Sequence, residues 1–233
     1  MKKLVIVVMA MAMVAGYYGY SYSNGFGTGI STVGSPHNFS AETWNTREEI
    51  CRVCHVPHDH NKPGQNYLNG LLWNHDVSTA TYTMYGSAWS SSITGVQSAQ
   101  PDGTSKLCLG CHDGTVGIDA FDGHTTPATE FIGASSERVP NFVDGANKDL
   151  RGTHPLSIAF PAGEIGTKFN DPATTNWQAG GTVASTLQDG KVQCSTCHDV
   201  HDKDAVPATH LLRTATKASQ GTASGLCLAC HIK

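Results

Sequence analysis

Cys51-Arg52-Val53-Cys54-His55-Val56-Pro57-His58 decides how this chain is read. Two cysteines separated by two residues, with a histidine directly after, form the attachment signature of a c-type haem. One helical turn spaces the two sulfurs for the two vinyl groups of one porphyrin. The next residue then faces the iron and donates an imidazole nitrogen. The pattern returns as Cys194-Ser195-Thr196-Cys197-His198-Asp199-Val200-His201, again with a second histidine three residues after the first. Two plainer copies are Cys108-Leu109-Gly110-Cys111-His112 and Cys227-Leu228-Ala229-Cys230-His231, and the four motifs together use all 8 cysteines. With 12 histidines in 233 residues, four falling by chance behind four such pairs has odds on the order of one in a hundred thousand. Structural zinc does not need a histidine after every Cys-x-x-Cys pair, and a disulfide framework would scatter the spacing. Four covalently bound haem c groups are therefore the expected cofactors.

The motifs name the proximal iron ligands as His55, His112, His198 and His231. Methionine can serve as a sixth ligand in c-type cytochromes. Of the 5 methionines, Met1, Met9, Met11 and Met13 lie near the N-terminus and only Met84 lies beyond it. Bis-histidine ligation of all four irons follows, with lower potentials than a thioether ligand would give. The distal candidates are His37, His58, His154 and His201, with His75 as the alternative. His58 stands three residues after His55, so the two share one side of a helical turn. One turn cannot reach both faces of one porphyrin, so His58 is expected to serve a neighbouring haem, the one on Cys108 and Cys111. By repetition His201 is assigned to the haem on Cys227 and Cys230, and His37 and His154 to the remaining irons. His60, His124 and His210 read as surface or propionate-contacting residues.

Met1 to Ser23 reads as a signal peptide: Lys2 and Lys3 precede an apolar run from Leu4 to Ala15, and Ser21-Tyr22-Ser23 offers a cleavage site. About twelve apolar residues are too few to cross a bilayer, which needs ~20, so no membrane span is expected. The product should be exported to the periplasm, the cell surface or the medium. Loss of Lys2 and Lys3 takes the formal net charge from −4 to −6, which argues against nucleic acid as a partner. Aromatic residues are only 8%, too few for a large apolar core, so haem faces are expected to serve as core. The expected fold is that of a multihaem cytochrome c, with few short helices, little regular sheet and mostly coil wrapped around a chain of four haems. Thr46 to His55 reads as a helix with Thr46 and Glu49 as a capping box, ended by Pro57. Ser105 to His112, Val192 to His198 and Leu226 to His231 read as short haem-bearing helices or turns, and 113–193 as a long wrapping loop.

The halves repeat. His37-Asn38-Phe39-Ser40 matches His154-Pro155-Leu156-Ser157, each ahead of a Cys-x-x-Cys-His-x-x-His motif, and each half closes on Leu-Cys-Leu-x-Cys-His. This gives three segments: 1–23 the signal peptide, 24–120 a first dihaem module with an N-terminal arm, and 121–233 a second dihaem module with the long loop. These residues, with Leu72-Trp73-Asn74 and Cys111-His112-Asp113-Gly114, resemble the doubled Cys-x-x-Cys-His multihaem cytochromes. Within them the chain is similar to the tetrahaem outer-surface cytochromes of metal-reducing bacteria that polymerise into conductive filaments. The resemblance implies electron transfer to extracellular acceptors or partner proteins, and head-to-tail self-assembly with a histidine exchanged between subunits. His37 follows a flexible arm and has no earlier module in its own chain, so it is the expected exchanged ligand, with His75 completing an iron inside the first module. The alternatives are a monomeric periplasmic carrier, with His37 folded onto the haem of Cys51 and Cys54, and a multihaem reductase of nitrogen oxyanions. A reductase needs an iron with a labile site, and nothing in the sequence marks one; the chain is read as an electron carrier and no catalytic residue is assigned. The intact mass of the mature protein should exceed that of its polypeptide by four haems. A smaller increment, or stoichiometric zinc, would contradict four attachment sites.

Overall fold

In three of the four motifs one backbone bond closes the turn. The N–H of His55 donates to the Cys51 carbonyl (2.7 Å), that of His198 to Cys194 (3.0 Å) and that of His231 to Cys227 (2.9 Å). The remaining copy, at Cys108 and Cys111, ends α1 (Gly103–His112), the longest helix among the described residues. This computed structural model describes residues 29–32, 34–56, 71–86, 90–123, 128–132, 148–217 and 224–233. The signal segment and the distal candidate His58 lie outside the described residues, as do His60 and His124.

Regular structure is sparse, as the composition predicts. After α1 come strand β1 (Ile158–Ala159), α2 (Val183–Thr186), strand β2 (Lys191–Val192), α3 (Cys194–Cys197) and α4 (Gly225–Cys230), with 3-10 turns at Leu150–Gly152 and Ala162–Glu164. β1 and β2 pair antiparallel, Ile158 opposite Val192 and Ala159 opposite Lys191. The rest of the described chain is coil, turns and isolated bridges. Among the described residues no helix is long and apolar enough to cross a membrane.

The helix expected over Thr46 to His55 is not formed; turns replace it up to the motif itself. Glu48 sits at φ 56°, a left-handed conformation that a helix cannot contain. Glu49 does not close a capping box, because its carboxylate lies 3.4 Å from Arg52. The Asn45 amide donates to the carbonyls of Phe39 (2.9 Å) and Glu49 (3.1 Å). That side chain supplies locally what a helix would otherwise supply.

Apolar packing falls into two small clusters, each against an attachment motif. Tyr82, Tyr85, Leu109, Leu150 and Leu156 form one, with Met84 and Cys194 packed on it. Trp177, Val183 and Ala229 form the other, with Leu226 and Cys230 alongside. Polar networks hold the remainder. Gln193 is buried; its Oε1 accepts from Ser105 (2.5 Å) and Ser157 (3.1 Å), and its Nε2 donates to Asp102 (2.8 Å). Thr104 and Ser195 hydroxyls meet at 2.7 Å. These bonds fasten the start of α1 to α3, so the second and third motifs stand side by side.

Contacts cross the expected module boundary after residue 120. Arg52 Nε lies 2.7 Å from the Asp122 carboxylate. The Asn74 amide donates to Arg52 O (2.6 Å) and Asp122 Oδ1 (2.7 Å), and its Oδ1 accepts from Asp122 N–H (3.3 Å). Asn74 is 1% exposed and its partners Arg52 and Asp122 are half-buried, so its removal leaves polar groups short of hydrogen bonds. Asn74→Ala should lower the free energy of unfolding by about 1–3 kcal/mol, read from chemical denaturation, with the number of bound haems unchanged.

Candidate functional site

The third residue of every motif is buried: Val53, Gly110, Thr196 and Ala229. Each turn therefore packs that position inward and leaves its cysteines and histidine on the other side. At the second motif the approach is close, since a Cβ on Gly110 would stand 3.0 Å from the Asp76 carbonyl and press on that backbone. The motifs also adjoin in sequence order. Burial, then the neighbouring Cys54, pushes the Cys111 thiol up to about 12. The neighbouring Cys108 thiol draws Cys194 down to about 7. Burial, then the neighbouring Cys230, pushes Cys197 up to about 12.

The backbone orients several of the rings. His55 donates its Nδ1–H to the Leu71 carbonyl (2.7 Å) and His198 its own to the His210 carbonyl (2.9 Å). His154 does the same to Pro155 (2.9 Å). An imidazole whose Nδ1–H is held this way carries its lone pair on Nε2, the form and orientation of a metal ligand. Burial lowers the pKa of His198 and His231. For His37, burial and then the His112 ring lower it to about 4. These rings are therefore neutral at physiological pH.

Three histidine pairs emerge, each of one motif histidine and one other. His37 faces His112 with ring centroids 6.2 Å apart and planes at 65°. His201 faces His55 at 6.4 Å and 22°. His154 faces His231 at 6.4 Å and 75°. An imidazole nitrogen bonds a metal at about 2 Å and its ring centre lies about 1.2 Å behind, so rings on opposite sides of one metal have centroids about 6.4 Å apart. His37 Nδ1 is in addition buried without a hydrogen-bond partner. The residues thus fit an iron held by two axial imidazoles. Among the described residues no three of His, Cys, Asp or Glu gather as a metal cage, and the eight cysteines are free thiols.

The pairs differ from those read from the repeat. His37 and His154 stand against the plain motifs, and His201 stands against His55 of the other half. His75 is fully buried but faces no motif histidine. Its Nδ1–H donates to the Asp76 carbonyl (2.8 Å) and its Nε2 lies 3.4 Å from Cys111 Sγ. Met84 packs into an apolar cluster. His210, read as a surface residue, acts through its carbonyl on His198.

Sequence reading missed how far the repeat extends. Val56 N–H donates to Leu72 O and Asn74 N–H to Cys54 O; Asp199 N–H donates to Leu211 O and Arg213 N–H to Cys197 O. Leu72 and Leu211 both sit at positive φ, 51° and 63°. Each Cys-x-x-Cys-His motif with a second histidine therefore has the same returning segment, and the one leucine the two segments share, at 72 and 211, was its faint signal. A carboxylate network braces the end of α1. Buried Asp113 accepts from Ser78 (2.7 Å), Tyr82 and Thr115 N–H (2.7 Å), and Lys148 Nζ donates to its carbonyl (2.6 Å).

No protein-family model matches the chain, and no curated protein is significantly similar to it. In the haem-loaded protein, His75→Gln should leave the low-spin spectrum unchanged. His37→Ala should turn one iron high-spin. Visible and resonance Raman spectra of the oxidised protein read both outcomes.

Proposed function

We propose that this chain is an exported tetrahaem c-type cytochrome that carries electrons to extracellular acceptors or partner proteins. The observation that carries the reading is the set of three imidazole pairs, each joining one motif histidine to one histidine outside the motifs, at the separation of axial ligands. Cys51 and Cys54, Cys108 and Cys111, Cys194 and Cys197, and Cys227 and Cys230 would hold the haems covalently, and His55, His112, His198 and His231 would be the proximal ligands. Bound haem supplies a one-electron couple that the polypeptide lacks. The chain's own residues hold neutral imidazoles in place, turn their Nε2 atoms away from the backbone and bring the four attachment sites together in order. The coil-rich fold and its two small apolar clusters agree with a chain that uses haem as core.

Three forms of this reading meet at His198. Among the described residues no imidazole lies opposite it, so its partner comes from His58 of the same chain, from a neighbouring copy, or from neither. The first gives a monomeric carrier, the second the head-to-tail filament implied by the family resemblance, and the third the labile iron of a nitrogen-oxyanion reductase. His37 pairs within its own chain, so it is no longer the natural exchanged ligand. We favour the electron carrier, in filament form, and expect every iron to be low-spin. Electron microscopy of the secreted fraction should show polymers, and nitrite or cyanide should bind slowly or not at all. Low-spin monomers would favour the periplasmic carrier. A high-spin fraction that binds nitrite rapidly would favour the enzyme.

A further inference from the structure

We infer that His201 completes the iron of the first motif, so that the two halves of the chain are joined by a ligand that crosses between them. This rests on the haem reading above and deepens it. The sequence repeat places His201 in the second half, where its natural partner would be the plain motif at Cys227 and Cys230. That place is taken: His154 faces His231 at 6.4 Å, and Phe169 closes on the same ring at 4.9 Å. His201 instead faces His55, 146 positions earlier in the chain, at the same 6.4 Å.

Asp199 is the positioning residue. It is buried, and its Oδ1 accepts the N–H of His201 at 3.2 Å. Its Oδ2 accepts from the N–H groups of Lys203 (2.8 Å) and Asp204 (2.5 Å), and Arg213 stands 3.7 Å away. The turn is closed by Asp202 N–H on the Asp199 carbonyl (3.0 Å), with Asp202 at φ 55°. One carboxylate thus gathers three backbone N–H groups of a single turn and aims His201 away from the ring of His198, whose own Nδ1–H is tied to His210. The first motif has Val56 at the corresponding place, a side chain with no carboxylate.

The crossing pair also has its own signature. Its ring planes lie 22° apart, against 65° and 75° in the other two pairs. Near-parallel axial imidazoles give ferric low-spin iron a rhombic electron paramagnetic resonance signal. Steeply crossed ones give a more anisotropic signal with a larger principal g value.

The test is the full-length protein carrying His201→Ala, followed by mass spectrometry and electron paramagnetic resonance. We expect four haems retained, one iron turned high-spin, the rhombic component lost and the anisotropic components kept. Added imidazole should restore the rhombic signal. Asp199→Ala should weaken the same component, and imidazole should rescue it too. In a protein lacking the first haem (Cys51→Ala with Cys54→Ala), His201→Ala should convert no further iron. Loss of an anisotropic component in place of the rhombic one, or a new high-spin iron in the protein without the first haem, would overturn the assignment. If the cysteine variant does not accumulate, the single His201 variant decides through which component disappears. A wild-type mass without haem would reject the haem reading and this assignment together.

Discussion

One turn of polypeptide can reach only one face of a flat ring. A motif that anchors two sulfurs and offers one imidazole therefore leaves the opposite face to a residue from elsewhere in the chain. On the proposed haem reading, much of this fold serves to deliver those second residues. His37 arrives in a tight turn closed by the Asn38 N–H on the Ser35 carbonyl, His154 shortly after the 3-10 turn Leu150–Gly152, and His201 on the Asp199 turn. Among the described residues little else has the length to organise a fold: the longest helix has 10 residues and the strands two each. Long-range order lies in the pairings between turns, each made by one or two side chains.

Local chemistry and long-range pairing separate sharply in how far they could be read from the sequence. The motifs, the sparse secondary structure and α1 were legible, because each depends on residues close together in the chain. Of the histidines singled out beyond the motifs, His37, His154 and His201 each face a motif ring, but not in the pairings that the repeat suggested. Repeat logic placed His201 with the plain motif of its own half, and the buried carboxylate that turns it toward His55 is one aspartate among many in sequence. The helix over residues 46–55 failed for a similar reason. Its capping residues are present, but Glu48 takes a left-handed conformation and Asn45 captures the carbonyls, choices that only the tertiary setting makes.

Polar side chains carry a share of the stability that apolar residues usually carry. Gln193, Asn74, Asp113 and Asp199 are all buried and all multiply hydrogen-bonded. Such groups fold well only when every partner is in place. They make the relative placement of the motifs specific rather than merely compact. Their positions agree with that role: Gln193 joins the second motif to the third, Asn74 joins the first to the residues beyond the second, and Asp113 and Asp199 each follow a motif histidine directly.

The rings of His55 and His198 are steered by the carbonyls of Leu71 and His210, groups that every residue possesses. Side chains at those two positions are accordingly free to drift, provided the returning segment keeps its register. A molecule governed in this way stores its rules in chain geometry and writes only a few letters of them in the alphabet of side chains. Two such chains could share every ring placement and still look unrelated when their sequences are laid side by side outside the motifs.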